Sequence, residues 1–277
     1  MNSLQLMGSG LAKATLLLDP YERQARLYPA LLCLLPFAVM AIALYGNQML
    51  QLKGLWWLAG AVGGLYLLSD IARSLGKGKE KGLWLRWGGV PSVQVLRHHD
   101  DVLDSVSKRR YHDFLARKLK VVFPSREIEG ADPGAADAVY AAAGNWLREA
   151  TRDKKKFDLL FRANVTYGYR RNGFGVRWLG LLMCLGVVAW VMLRLGLSSW
   201  AQRLDAVAHP EALLGAGEAV SIGVALVMAV VWIFYFSEAR VREAAFSYAQ
   251  RLVLACEVFL PHAPTRTAKS GATALQE

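Results

Sequence analysis

The sequence is poor in the residues that build most catalytic and metal sites. It has three cysteines in 277 residues, and Cys33, Cys184 and Cys256 lie far apart in apolar stretches. This spacing excludes the paired cysteines of a zinc site, and we interpret all three as small buried hydrophobic residues. The sequence also lacks a phosphate-binding loop, a nucleophile elbow and a dinucleotide-binding fingerprint. We therefore expect a protein that is not an enzyme and that binds neither a cofactor nor a metal.

Only two short stretches resemble a catalytic or metal site. They are RHHDD at 97–101 and YHDF at 111–114, which contain His98, His99, His112 and Asp113. A metal-dependent phosphohydrolase combines separated histidines, an adjacent His-Asp pair and a further aspartate. Here the first histidines are too close to the pair, and no further ligand is identifiable. We interpret these residues as a solvated helix face, and a membrane enzyme that uses them stays open as an alternative.

Charge is almost absent from four long stretches. These apolar windows cover 30–45, 54–69, 178–197 and 219–236, and each has about 16 to 20 residues. A membrane core needs about 20 apolar helical residues, with a minimum near 17, so the last two windows fit directly and the first two need their flanks. We predict an all-α integral membrane protein with four transmembrane helices. For the first pair, a buried hairpin of a soluble bundle is the alternative.

Acidic residues are fewer than basic ones, and the imbalance is local. Lys and Arg number 33 against 22 Asp and Glu, a net charge of +11. Residues 73–171 include 21 basic and 12 acidic residues, whereas residues 198–218 include one basic and three acidic residues. Basic residues near helix ends stay on the cytoplasmic side, so both termini and the central segment are predicted to be cytoplasmic, in a bacterial inner membrane. A basic isoelectric point alone is therefore no sign of a nucleic-acid-binding protein.

This topology divides the chain into six parts. They are an N-terminal interfacial or plug segment (1–28), a first transmembrane hairpin (29–70), a basic helical cytosolic module (71–172), a second transmembrane hairpin with a short external loop (173–236), a C-terminal cytosolic helix (237–262) and a disordered tail (263–277). Asp132 and Pro133 predict a helix start, since aspartate caps helices and proline fits the first helical position. The stretch VVFPSREIEGADP at 121–133 is expected to be the main loop of the module.

The C-terminal helix carries a heptad-like seam, which is typical of a helix that packs along another helix. We predict that the seam contacts a second copy of the chain in a homo-oligomer, and docking on the module of the same chain is the alternative. The predicted contact residues are Val241, Ala245, Tyr248, Leu252 and Phe259.

Basic and aromatic residues are concentrated in TRDKKKFDLLFRANVTYGYRRNGFG at 151–175, directly before the third apolar window. Interleaved cations and rings hold phosphates by charge and stack on bases. On a helix these side chains lie opposite an apolar stripe, and the preceding helix adds two arginines one turn apart. The predicted ligand-binding residues are Arg148, Arg152, Lys155, Arg162, Tyr169 and Arg170. The alternative is a basic membrane rim with structural salt bridges.

The apolar windows hold almost no ionisable residue at mid-membrane depth, where ion-coupled transporters place theirs. A channel needs none, because apolar faces from several subunits line a pore that gates by dewetting. Gly60 and Gly64 give the second span a small face for pore lining or helix packing. Gly173 and Gly175 are predicted as a hinge between the module and the third span.

The arrangement of two hairpins around a basic helical module, with the stretches DPYERQARLYPALL and VTYGYRRNGFGVRWLGL, resembles bacterial membrane proteins. It is similar to the small multi-span membrane effectors of anti-phage defence systems of the CBASS, Pycsar and Hailong types. The resemblance covers the architecture of most of the chain rather than a diagnostic motif. It implies an oligomeric pore gated by a nucleotide signal, which a nucleotidyltransferase encoded nearby would synthesise.

From the sequence we therefore expect an oligomeric inner-membrane channel or pore effector, gated by a nucleotide or oligonucleotide at its cytosolic module and acting in anti-phage defence. The alternative is a non-conducting membrane scaffold or accessory subunit that docks a cytosolic protein partner.

Overall fold

The computed structural model of the protein describes residues 19–51, 55–196 and 214–261, and every regular element in these ranges is helical. The helices are α1 (Tyr28–Gln51), α2 (Leu55–Arg86), α3 (Pro91–Gln94), α4 (Ser105–Leu119), α5 (Arg126–Ala131), α6 (Pro133–Ala150), α7 (Asp158–Leu195), α8 (Ala216–Val230) and α9 (Glu238–Leu254). π-Helical turns at Glu22–Leu27 and Val231–Tyr235 precede α1 and follow α8, and the 3₁₀ turn Ala255–Val258 follows α9. The predicted all-α class is confirmed for these residues, and the predicted tail lies outside them.

Three helical stretches in the described ranges are long and apolar enough to cross a membrane. They are Glu22–Gln48, Asp158–Leu195 and Ala216–Tyr235, and their most apolar 18-residue windows have mean hydropathies of 2.3, 2.0 and 2.1. They match the first, third and fourth predicted spans. The second predicted span, 54–69, falls in the first half of α2, and a total of four spans stays a prediction.

The helices α1, α2, the second half of α7, and α8 pack together, and we name them the membrane bundle because they contain the three candidate spans. Its core contains small and medium side chains from all four helices together with two aromatic rings, Trp232 and Phe236. Much apolar surface remains outside this core, because only 22–28% of the most apolar window of each candidate span is buried within the chain. A lipid phase or further protein must cover the rest.

Aromatic rings and charged groups lie together at one end of the bundle, which we name the far rim. Trp190 Nε1 donates a hydrogen bond to the Tyr45 hydroxyl over 2.9 Å. The Arg194 guanidinium lies 5.1 Å from the Tyr45 ring centre and 4.0 Å from Glu218. Tyrosine and tryptophan are typical of the level where lipid headgroups meet water.

A similar set of side chains lies at the opposite end, the near rim. The Arg170 guanidinium lies 4.0 Å from the centre of the Tyr235 ring, and that of Arg177 lies 4.8 Å from the Trp178 ring. Arg177 and Arg194 are 17 positions apart in α7, which corresponds to about 26 Å of helix. A membrane core is about 30 Å thick, so the two rims are separated by the distance that a spanning bundle requires.

The helical unit is formed by α3 to α6, the start of α7, and α9. Apolar residues from all of these elements except α5 share one core, in which Tyr111, Leu115, Tyr140 and Leu252 are at most 1% exposed. The predicted helix start is confirmed, because the Asp132 side chain accepts a hydrogen bond from the Ala135 N–H and Pro133 occupies the first turn.

A third cluster of apolar residues, the junction, joins the helical unit to the bundle. It contains Leu83 of α2, Trp87 directly after α2, Tyr167 and Phe174 of α7, and Val241 of α9. Because α2 and α7 continue from the bundle into the junction without a break, the predicted part boundaries at 70 and 172 fall inside helices.

The predicted main loop, 121–133, contains a helix that the sequence analysis missed. Ser125 caps α5 by accepting a hydrogen bond from the Ile128 N–H. The buried carboxylate of Glu129 then accepts hydrogen bonds from the His98 N–H over 2.8 Å and from the Tyr140 hydroxyl over 2.7 Å. These partners hold the short helix against the unit.

Candidate functional site

A cavity of about 450 Å³ lies between the end of α6, the start of α7 and the residues that precede α1. We name it the Arg148 cavity. Its basic lining residues are Arg148, Arg152 and Lys154, and Asp19 and Glu22 face them. The Phe161 and Tyr248 rings and the Asn164 amide complete the part of the wall that belongs to α7 and α9.

The three cations of the Arg148 cavity have different partners. Arg148 donates to the Ser92 hydroxyl over 3.4 Å and to the Asn145 amide oxygen, and among the described residues no carboxylate lies within 4.0 Å of it. Arg152 pairs with Glu149 at 2.6 Å. Both Arg152 and Glu149 are exposed, so this pair holds Arg152 weakly.

Lys154 pairs with Asp19 at 2.6 Å and lies 5.0 Å from the centre of the Phe161 ring. The hydrogen bond from Lys154 lowers the pKa of Asp19 below its usual range. The segment that leads into α1 thus places an anion in a basic cavity of the helical unit. Asp19 and Lys154 are 135 positions apart in sequence, so no local pattern predicted this pair.

The structure separates the predicted ligand-binding residues into three groups. Arg148 and Arg152 meet in the Arg148 cavity, whereas Lys155 and Arg162 are exposed and do not line it. Arg162 is 75% exposed and pairs with Asp158 one turn earlier at 2.9 Å.

Tyr169 and Arg170 form the third group, in a separate cavity of about 280 Å³ at the near rim, which we name the Arg170 cavity. The Arg170 guanidinium stacks on the Tyr235 ring, and Arg170 Nη1 lies 3.5 Å from the Tyr235 carbonyl oxygen. The Tyr169 ring packs against the Phe236 ring with 5.5 Å between ring centres.

Arg171 lies one position after Arg170 and has a different environment. It is 5% exposed, and its Nη1 donates to Glu80 Oε1 over 2.6 Å. The Tyr167 hydroxyl donates to the same oxygen over 2.9 Å, and the Asn172 amide donates to the Ala25 carbonyl over 2.7 Å. This network fastens α7 to α2 and to the segment before α1, so Arg171 is a structural ion pair rather than a solvated rim charge.

The two glycines predicted as a hinge lie within the unbroken α7. A Cβ atom on Gly173 would overlap the Phe236 ring, and one on Gly175 would overlap the backbone of Gly76. Their lack of a side chain lets α7 contact these neighbours closely. The structure thus gives both residues a role in close packing, and the helical backbone is continuous through them.

The predicted oligomer seam packs inside the chain. Val241, Ala245 and Leu252 are at most 2% exposed. The Tyr248 ring stacks on Tyr167, with 6.2 Å between ring centres, and Phe259 packs in the core of the helical unit. The seam therefore docks on the same chain, as the alternative predicted, and the surfaces of Val241, Ala245 and Leu252 are already covered. A contact of the partly buried Tyr248 and Phe259 with a second copy stays a prediction.

Gly60 and Gly64 of α2 are exposed, and no atom lies within 4 Å of the position of an added Cβ on either residue. Within the described part of one chain, this face of α2 contacts nothing that requires glycine. Its predicted role in helix packing or pore lining stays a prediction.

The three histidines have hydrogen-bond partners within the helical unit, and only His112 among them is buried, whereas His99 and Asp113 are exposed. His98 Nε2 lies 2.9 Å from the Pro124 carbonyl oxygen, His112 Nε2 lies 2.8 Å from that of Leu96, and His99 Nδ1 lies 2.7 Å from the Glu129 carboxylate. His112 is 5% exposed, so the interpretation as a solvated helix face is wrong for this residue.

Burial lowers the pKa of His112 to about 4, which keeps its ring neutral at neutral pH. For Glu129, burial acts to raise the pKa, but hydrogen bonds from the His98 N–H, Tyr140 and His99 lower it overall. In the described ranges, no three His, Cys, Asp or Glu residues come together in a way that could hold a metal ion. The contacts of this cluster are those of a structural polar core.

Comparisons with protein-family models, with curated proteins and with solved structures found no match for this chain.

Proposed function

We propose that the protein is an oligomeric membrane channel whose helical unit binds a nucleotide-type anion in the Arg148 cavity. The continuity of α7 carries this proposal. Leu160, Phe161 and Asn164 line the cavity, and the same helix continues to Arg194 at the far rim. A displacement of the cavity end of α7 acts directly on a helix that is long enough to span a membrane, since a helix moves as a rigid element.

The lining of the Arg148 cavity supports an anionic ligand. Arg148 has neutral partners only among the described residues, so its charge is available to a phosphate. The Phe161 and Tyr248 rings provide surfaces on which a base stacks. The volume of about 450 Å³ lies within the range of about 300–1,000 Å³ that small-molecule sites occupy.

Asp19 gives the proposed gate its connection to the first span. Its carboxylate pairs with Lys154 in the cavity. A phosphate that binds Lys154 more strongly displaces Asp19, and Asp19 lies only nine residues before Tyr28, the first residue of α1. Ligand binding in this scheme moves both α7 and the segment that enters α1.

The uncovered apolar surface of the bundle and the open glycine face of α2 support assembly of several copies in the membrane. In the orientation that we propose, the helical unit lies in the cytoplasm and the bundle in the inner membrane of a bacterium. The ligand is then a nucleotide signal made by a nucleotidyltransferase during anti-phage defence.

Binding to the purified full-length protein in detergent, measured by calorimetry with cyclic dinucleotides and short oligonucleotides, tests the cavity. We expect the double variant Arg148→Gln/Arg152→Gln to lower the affinity about tenfold or more, because two charge-assisted hydrogen bonds are lost. Asp19→Asn should raise the affinity, because the competing carboxylate is removed. Arg162→Gln is the matched control, since it removes an exposed charge from α7 outside the cavity.

Equal affinity in the wild type and the double variant would contradict the assignment of the cavity. Ion flux from liposomes then tests the channel. We expect flux to change when the nucleotide is added and to stay unchanged in the double variant. A protein that binds nucleotide in this cavity but conducts no ions with or without it would instead be the non-conducting scaffold.

A further inference from the structure

We propose that the Arg170 cavity binds the phosphate headgroup of an anionic membrane lipid. This site is separate from the Arg148 cavity and does not depend on nucleotide binding there. It lies where the π-helical turn Glu22–Leu27, α7 and the end of the α8 extension meet. The lining residues that provide polar groups or rings for the site are Gln24, Tyr28, Thr166, Tyr169, Arg170 and Tyr235.

The depth of the cavity agrees with the level of lipid headgroups. Tyr28 begins α1, and Tyr235 ends the apolar extension of α8. Both residues are partly exposed, at 42% and 37%, and they belong to the near rim of the bundle. Tyrosines at the ends of apolar spans lie at the headgroup level, so a phosphate reaches Arg170 from the membrane surface.

The described lining of the cavity carries positive charge only. Among the described residues, no Asp or Glu lines the cavity and no carboxylate lies within 4.0 Å of Arg170. Residues 1–18, which precede the described part of the chain, contain no acidic residue. The Arg148 cavity differs in this respect, because Asp19 and Glu22 line it.

The side chains of the cavity suit a phosphate group. Stacking on Tyr235 holds the planar guanidinium of Arg170, and its remaining N–H groups match two phosphate oxygens. The Tyr28 hydroxyl and the Gln24 amide are further donors on the same wall.

The size and surroundings of the cavity favour a lipid over a free nucleotide. Its volume of about 280 Å³ is just below the range of about 300–1,000 Å³ that encloses drug-sized ligands. On the membrane side, Leu31 and Leu35 follow Tyr28 on one face of α1 and are 43% and 39% exposed. This face offers acyl chains an apolar path next to the headgroup site.

Native mass spectrometry of the full-length protein in detergent tests the proposal. The probes are phosphatidylglycerol and phosphatidylcholine with identical acyl chains, and inorganic phosphate is the soluble competitor. We expect tighter binding of phosphatidylglycerol to the wild type. Arg170→Gln should lower its affinity about tenfold, because a charge-assisted bidentate contact is lost, and Arg170→Lys should lower it less.

Arg162→Gln is the matched control. It removes the same charge from the same helix eight positions earlier, about 12 Å farther from the membrane, and should leave lipid binding unchanged. The proposal is overturned if Arg170→Gln, folded by circular dichroism, retains the preference for phosphatidylglycerol, or if Arg162→Gln loses as much affinity. It is also overturned if inorganic phosphate displaces the lipid at equal concentration, because the site then binds a free anion.

Discussion

The helical unit and the membrane bundle pack their helices through side chains of different size. In the unit, large residues such as Tyr111, Tyr140 and Leu147 fill the space between helices and are at most 1% exposed. Their burial removes apolar surface from water, which is the main stabilising term for a helical core in water. The buried carboxylate of Glu129 has three hydrogen-bond partners in the unit, which are the His98 N–H, the Tyr140 hydroxyl and the His99 ring.

In the bundle, the contacts depend on residues with almost no side chain. Gly173 and Gly180 of α7 leave room for the Phe236 and Trp232 rings, which lie against the helix backbone. Lipid chains are as apolar as the helices, so association in a membrane depends on close fit rather than on leaving water. The comparison teaches that the unit depends on large side chains that fill space, whereas these contacts in the bundle depend on glycines that leave space for a ring.

The largest effect is expected at the junction, where the two regions meet. Arg171→Ala leaves the Glu80 carboxylate, whose side chain is 16% exposed, without its cation. We expect the free energy of unfolding to fall by about 3–5 kcal/mol, which is typical of breaking a buried ion pair. Chemical unfolding of the purified protein in detergent measures it.

The control for this prediction is Arg162→Ala, whose exposed pair with Asp158 contributes about 0.5 kcal/mol or less. Similar small losses in both variants would show that the Arg171 network does not hold α7 to α2.

The next effect concerns the pH dependence of the helical unit. The folded pKa of His112 is about 4, below its ordinary value of 6.5. The unfolded chain therefore binds a proton first as the pH falls, and stability decreases between pH 6.5 and 4 by about 3 kcal/mol from this residue.

Glu129 adds to the same loss only at lower pH, because its folded pKa lies below its ordinary value of 4.5 and its contribution disappears as the carboxylate is protonated. His112→Gln keeps a donor for the Leu96 carbonyl but does not titrate. Unfolding curves at several pH values should show a flatter slope between pH 6.5 and 4 in this variant. An unchanged slope would mean that His112 is also protonated in the folded state.

The smallest of these effects tests glycine in the bundle. Gly180→Ala places a Cβ within the Trp232 indole and should lower the free energy of unfolding by about 1–3 kcal/mol. Gly186→Ala, six positions later in α7, meets no atom within 4 Å and should be neutral or stabilising by up to about 1 kcal/mol. Thermal unfolding of both variants in one detergent compares them directly. If both variants unfold at the same temperature, close packing does not explain the glycine at position 180.

Local signals in the sequence predicted several elements correctly. Asp132 and Pro133 start α6 as expected, because capping and the first helical turn depend only on neighbouring residues. The apolar windows in α1, α7 and α8 were also predicted correctly, because the composition of each window alone identifies it. The helix α5 was missed, because the partners of Glu129 come from His98 and His99, about 30 positions away.

The candidate site was predicted in part. The sequence predicted that Arg148 and Arg152 lie one turn apart on one helix. In the structure α6 ends at Ala150, so Arg152 lies just beyond the helix, and both residues still line the cavity. Lys154 and Asp19 complete that cavity only through a contact between distant parts of the chain. Tyr248, predicted as an oligomer contact, lines the same cavity, because a heptad-like pattern shows that a helix packs but not which partner it packs on.

By itself, the sequence determined that this protein is helical, strongly apolar in long stretches and basic between them. Only the tertiary structure decided what each cation does. Arg170 and Arg171 are neighbours in one basic stretch, yet Arg170 stacks on Tyr235 at the near rim and Arg171 is buried against Glu80. The reason is geometric: successive side chains on an α-helix point about 100° apart, so each meets whichever helix the fold has placed on its side.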